Sequence, residues 1–223
     1  MNVTPWSYSR VKLFEQCPKK YYHLHIVKDY REPPSSAMTY GNEVHAACEE
    51  YVRDGKELER EHQFVKPVLD ALIQKQGKKL AEYRLGLTED LEPCGFRDSN
   101  VWFRGIADLI ILDEDNKLAW VIDYKTGKSA RYADKDQLEL MALAVFKHFP
   151  QVEVVRGGLL FVVSKDLIRD TYKEDEQELK WVKWNNKIDR MKIALNNDVW
   201  NPSPSGLCRN HCIVTECAHN GRS

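Results

Sequence analysis

Two apolar runs, residues 101–112 and 118–126, flank the polar segment 113–117, and this pattern commits the middle of the chain to a β-hairpin. A turn centred near Asp115 sets Asp108 nearly opposite Asp123 on one face, with Cβ atoms about 5 Å apart. Two carboxylates that close repel each other unless a cation lies between them. Oxygen donors of this kind suit Mg²⁺ or Mn²⁺. Lys125 stands two residues beyond Asp123, so strand alternation points it the same way. There an ammonium group can orient a water or stabilise developing negative charge. Ile106, Leu109, Ile110, Ile111, Val121 and Ile122 surround these charges with apolar side chains, which marks the charges as exceptions in a buried setting. The residues alone leave one plainer alternative open, an exposed hairpin carrying an ordinary Asp–Lys ion pair.

The rest of the chain reads as helices around strands. Ser7 caps a helix over 8–16, and Pro18 opens a second. Residues 32–35 form a linker. A helix over about 37–53 closes at Gly55. Residues 57–79 read as helical, interrupted near Pro67. Strands are expected over 81–88, 101–112, 118–126 and 157–164. Helices are expected over 134–148 and 174–197, the first with Leu138, Met141, Ala142, Val145 and Phe146 on one face. This order implies a mixed α/β fold within a single domain over 1–223. Its parts are a mainly helical region over 1–80, a sheet-and-helix core over 81–170, and a long helix with a cysteine-bearing tail over 171–223.

Charge narrows the function classes. With 33 basic and 34 acidic residues, the net charge of −1 excludes a surface that grips phosphates everywhere, while leaving room for a local basic groove. Arg10, Lys12, Lys19, Lys20, Lys28 and Arg31 outnumber Glu15 and Asp29 near the N-terminus. Arg10, Lys19 and Lys20 are therefore candidate DNA contacts, against the simpler reading of a solvated helix face. No apolar run reaches the roughly 20 residues that span a bilayer. Nor does an apolar stretch follow a basic N-terminal head, so the expected location is the cytoplasm, with no membrane partner.

The hairpin motifs resemble the PD-(D/E)XK nuclease superfamily, in particular its RecB-like exonuclease branch in compact viral or CRISPR-associated form. That branch carries a G-x-x-D strand, a D/E-x-K strand and a following helix with a Q-x-x-x-Y signature. The matching residues here are Gly105 with Asp108, Asp123 with Lys125, and Gln137, while Met141 stands where the pattern has tyrosine. An upstream G-x-x-x-H-x-x-x-E pattern is met by Gly41, His45 and Glu49. A serine-rich first helix before Cys17-Pro18 is also similar. The resemblance implies a restriction-endonuclease-like core, a central mixed sheet flanked by helices, with the N-terminal helical region and C-terminal cysteines packed together. It implies a Mg²⁺ or Mn²⁺ held by His45, Asp108, Asp123 and the Tyr124 carbonyl, with Lys125 and Gln137 assisting phosphodiester hydrolysis.

Several members of that branch hold a 4Fe-4S cluster on one N-terminal and three C-terminal cysteines. Cys17, Cys208, Cys212 and Cys217 have that distribution, and four thiolates are the usual ligand set. The C-x3-C-x4-C spacing differs from the common C-x2-C-x5-C, and His211 occupies the displaced position. A zinc site and metal-free thiols thus remain alternatives. Cys48 and Cys94 read as packing residues. The activity expected is that of a DNA exonuclease on single-stranded or frayed ends in recombination, repair or genome processing, in a bacterial, archaeal or virus-infected cell. Two alternatives are an end-processing subunit of a CRISPR-adaptation or recombination assembly, and a DNA-binding module without catalysis.

Overall fold

Alternating apolar residues with β-branched side chains build six strands: β1 (Lys78–Leu87), β2 (Pro93–Cys94), β3 (Phe103–Asp113), β4 (Leu118–Lys125), β5 (Val154–Phe161) and β6 (Asp166–Lys173). The computed structural model describes residues 5–131 and 133–221. The strands form one sheet of order β2-β1-β3-β4-β5-β6. All neighbours are antiparallel except β4 and β5, which run parallel, so the sheet is mixed. A parallel pair needs a crossover, and helix α5 (Asp136–His148) supplies it. The expected restriction-endonuclease-like architecture is the one observed.

The remaining helices are α1 (Tyr8–Gln16), α2 (Pro18–Tyr21) continued by a π-helical stretch at Tyr22–Val27, α3 (Ser36–Asp54), α4 (Lys66–Ile73), α6 (Gln177–Asn197) and α7 (Leu207–Asn210). Ser35 caps α3 by accepting the Met38 N–H, and Gly55 ends it at φ 68°. Glycine adopts that left-handed conformation without a Cβ penalty. None of the described helices is long and apolar enough to cross a membrane.

Several expectations need correction. Residues 57–79 are not one helical stretch: a 3-10 turn at Arg60–Val65 leads into α4, and the chain is already extended at Lys78. Pro67 starts α4 rather than interrupting a helix, since the first turn has no use for the missing N–H. β6 is not among the expected strands. Its exposed, charged residues lack an alternating signal, and pairing with β5 is what makes it a strand.

The chain folds as two compact units, one built from residues up to Pro34 together with those from Val182 onward, the other spanning Ser35–Trp181. In the second unit, Val44 and Cys48 of α3 and Leu69 and Leu72 of α4 bury one sheet face with Leu109, Ile111, Ile122 and Tyr124. α5 covers the other face, and its residues Leu138 and Leu140–Phe146 are all buried. There Met141 packs so near Gly105 that a Cβ would sit 2.7 Å from its Cε. The first unit is held by aromatic rings: Trp6 stacks on Trp184 at 6.2 Å, and Tyr21 on Trp200 at 6.1 Å. Tyr30 Oη lies 3.1 Å from Thr215 Oγ1, joining the two sequence ends of that unit.

Candidate active site

The β3–β4 ladder ends on the pair Leu109–Ile122, and Asp108 and Asp123 are the next residues beyond it. Here the main-chain ladder gives way to side chains. Asp108 Oδ2 accepts the Tyr124 N–H at 2.6 Å. The carboxylates are 9% and 7% exposed, which excludes the surface-hairpin alternative.

Each group is held by a partner. Lys125 Nζ lies 2.6 Å from Asp123 Oδ2. It also donates to Gln137 Oε1 at 2.9 Å, while Gln137 Nε2 donates to Asp123 Oδ1. Gln137, in the first turn of α5, thus closes a ring with Asp123 and Lys125 of β4. From α3, His45 Nδ1 approaches Asp108 Oδ1 at 3.4 Å. The structure therefore brings His45, Asp108, Asp123, Tyr124, Lys125 and Gln137 together. Met141, at the tyrosine position of the motif, is buried against Gly105.

The sequence reading missed Glu82. In the β1–β3 register, Ala81 pairs with Leu109 and Tyr83 with Ala107, so Glu82 falls opposite Asp108, and that one pair is absent from the ladder. Glu82 has φ 48°, a left-handed conformation costly for a residue with a Cβ. Such local breaks re-aim side chains beside functional sites. His45, Glu82 and Asp108 each offer a donor atom within 4.8 Å of the others. Glu82 was hidden because the link between β1 and β3 is long and irregular, so their register is not readable from the sequence.

Electrostatics match a cation site. Burial and the charge of Asp108 push Asp123 up to about 6, against the opposing pull of Lys125. Burial, followed by Asp108, also raises Glu82. The hydrogen bond to Asp108 raises His45 although burial opposes it, with a smaller contribution from the Tyr124 backbone. Carboxylates this reluctant to ionise together fit a divalent ion: its charge would relieve both their repulsion and their desolvation.

Four of the cysteines belong to the first unit. Cys17, Cys208 and Cys212 line a cavity of about 280 Å³ in the first unit, with Lys20 and His211 on its wall. Cys217 is buried and outside that lining. Cys17 Sγ accepts the Lys20 N–H at 3.5 Å, and Cys208 Sγ accepts the Ser205 N–H at 3.4 Å. Sulfurs about 2.3 Å from a shared zinc sit under about 4 Å apart. Among the described residues no three cysteine or histidine donors of this region come within 4.8 Å of one another. Of the basic candidates, Arg10 Nη1 donates to the Pro5 carbonyl at 2.6 Å and Lys20 pairs with Glu32 at 2.6 Å. Lys19 is half-buried. Cys48 is fully buried, and burial pushes its thiol up to about 12, whereas Cys94 is only partly covered.

The fold has a counterpart among solved structures. A candidate exonuclease from Eubacterium rectale is similar in fold, with a TM-score of 0.53 at 12% identity over 93% of this chain and 86% of that one. A protein named SSO0001 aligns at 15% identity and a TM-score of 0.47, over 99% of this chain and 88% of its own. No curated protein matches. The family model of the PD-(D/E)XK nuclease superfamily matches residues 5–217, and the chain belongs to that superfamily.

Proposed function

We propose that this chain is a metal-dependent DNA exonuclease of the RecB-like branch, acting on single-stranded or frayed ends from a single nuclease domain. The observation that carries the proposal is the partly buried ring of Asp123, Lys125 and Gln137 beside Asp108 and His45. His45, Glu82, Asp108, Asp123 and the Tyr124 carbonyl are the groups to hold Mg²⁺ or Mn²⁺, the ions the superfamily generally uses. When bound, such an ion lowers the pKa of a water and neutralises charge on the scissile phosphate. Lys125 places its ammonium against the attacking oxygen or the developing phosphorane charge, a role for a donor that is already oriented. Gln137 fixes both Lys125 and Asp123 and so acts as a positioning residue. Water adds to phosphorus, the ester bond to one sugar oxygen breaks, and that oxygen leaves with a proton.

The exonuclease choice rests on the motif order from Cys17-Pro18 through Gly41, His45, Asp108, Asp123 and Gln137, and on the description of the Eubacterium rectale protein. The cavity shared by Cys17, Cys208 and Cys212 has room for a 4Fe-4S cluster, and among the described residues no three donors there are near enough for one zinc ion, which favours the cluster; Cys217, outside that lining, is assigned as fourth ligand by the family resemblance alone.

The test uses end-labelled single- and double-stranded DNA with each terminus blocked in turn, in Mn²⁺ or EDTA, with Lys125→Ala as control. Metal-dependent shortening from one free end is expected. Internal cuts in blocked DNA would replace the exonuclease reading with an endonuclease. No cleavage by the chain alone, restored by a recombination or CRISPR-adaptation partner, would make it a dependent subunit. Cleavage by Lys125→Ala equal to wild type would sink the assigned site.

A further inference from the structure

A second group of metal-ligand side chains lies on the turn before α4, apart from the hairpin site. Glu59, Glu61 and His62 each offer one donor atom, all within 4.8 Å of one another. The His62 N–H bonds the Glu59 carbonyl at 2.9 Å, and this turn gathers the three side chains. They open on a cavity of about 360 Å³ whose opposite wall is α3, through Glu43 and Glu50, with Leu58 among its lining residues.

His62 supplies the independent observation. It is only 7% exposed and lines the cavity, yet among the described residues nothing hydrogen-bonds its ring and no carboxylate lies within 4.0 Å. The contrast is His23, equally buried, whose Nδ1 meets Asp29 at 3.1 Å and whose Nε2 meets Glu216 at 3.3 Å. The ring nitrogens of His62 stay open to the cavity instead. Nor does a cation of the chain neutralise Glu59 or Glu61 within 4.0 Å among the described residues; the nearby Lys56 pairs with Glu50 at 2.6 Å instead. An imidazole and two carboxylates, gathered with no ion-pair partner within 4.0 Å among the described residues, have the composition of a ligand set, although Lys56 on the same cavity wall feels the charge of Glu59.

We propose that Glu59, Glu61 and His62 form a divalent transition-metal site separate from the hairpin centre. One imidazole with two carboxylates is a three-ligand set of the kind that holds Zn²⁺. Bonds of about 2.0–2.2 Å need the donors to draw in by about 1 Å, and the two glutamates are exposed enough to rotate. A bound ion would clip the turn that leads into α4, whose Leu69 and Leu72 pack in one cluster with Val44 and Cys48 of α3.

Histidine-ring NMR of the ¹⁵N-labelled full chain, titrated with Zn²⁺ alone, reads the site directly. The His62 ring signals should shift at micromolar Zn²⁺ in wild type and equally in Asp108→Asn, and Mg²⁺ at the same concentration should leave them in place. Glu59→Gln and Glu61→Gln, both at exposed positions, should each weaken the response about tenfold or more, with unchanged circular dichroism. The proposal is overturned if His62 ignores millimolar Zn²⁺, if Mg²⁺ moves it as much, or if both glutamine variants respond like wild type.

Discussion

The hairpin centre and the cysteine cavity differ in how completely the chain itself satisfies their polar groups. At the hairpin, Asp108 takes a backbone N–H and His45, while Asp123 takes Lys125 and Gln137. In the cysteine cavity, Cys17 and Cys208 each accept a single backbone N–H, at 3.5 and 3.4 Å. A site whose donors are locked by one another is pre-organised, so its groups lose little freedom when substrate arrives. A site whose donors are merely gathered relies on its ligand for order. The first arrangement suits chemistry, the second a structural role.

Variants can break this comparison. The largest effect is expected from Lys125→Ala or Asp108→Asn, each lowering cleavage by about 10²–10³-fold or more, read in single-turnover assays with saturating Mn²⁺. A loss under tenfold would mean that pre-organisation at the hairpin is not functional. Gln137→Ala should cost less, about 10–100-fold, and act on kcat rather than on metal affinity. Glu82→Gln should do the reverse, raising the Mn²⁺ concentration needed for half-maximal rate about tenfold. An unchanged metal requirement would remove Glu82 from the ligand set.

The crowded carboxylates of the hairpin predict a pH dependence of stability. Asp123 is raised to about 6 when folded, above the unfolded value of about 4. The folded protein therefore binds that proton more tightly, and its stability in EDTA should fall as pH rises from about 4 to about 6. His45 is also raised, so its contribution is present at low pH and lost as pH climbs through its folded value. Asp123→Asn removes the strained charge. At about pH 7.5 in EDTA, calorimetry should show it gaining about 1–2 kcal/mol, roughly 2–8 °C in Tm, while cleavage is lost. A lower Tm would show that the ring with Lys125 and Gln137 outweighs desolvation.

For the cysteine cavity, Cys17→Ser and Cys208→Ser should bleach the visible absorbance of protein prepared without oxygen and lower Tm, with a smaller effect on cleavage than any hairpin variant. A colourless wild type with stoichiometric zinc would reverse the assignment there. If the serine variants abolished cleavage while Tm held, the division between a chemical and a structural site would collapse.

Much of the hairpin is legible in the residues alone. The polar turn at 113–117 fixes a short-range register, and side-chain alternation follows from the period of two. Counting along the strands is enough to place Asp108, Asp123 and Lys125. The helix-closing signal at Gly55 is equally local. The features that escape a sequence reading are non-local: β6 gains its strand character from β5, and the 57–79 segment splits because α4 packs on α3 while Lys78 pairs with β3.

The sequence by itself determined the strand–turn–strand unit, the helix that follows it, and the residue types able to hold a divalent ion, because backbone geometry and hydrophobic period act over a few residues. Only the tertiary structure decided that Glu82 stands opposite Asp108, that Gln137 locks Lys125 to Asp123, and that three of the four distant cysteines share a cavity. Those contacts depend on long-range packing and loop closure, whose register no short window of residues encodes.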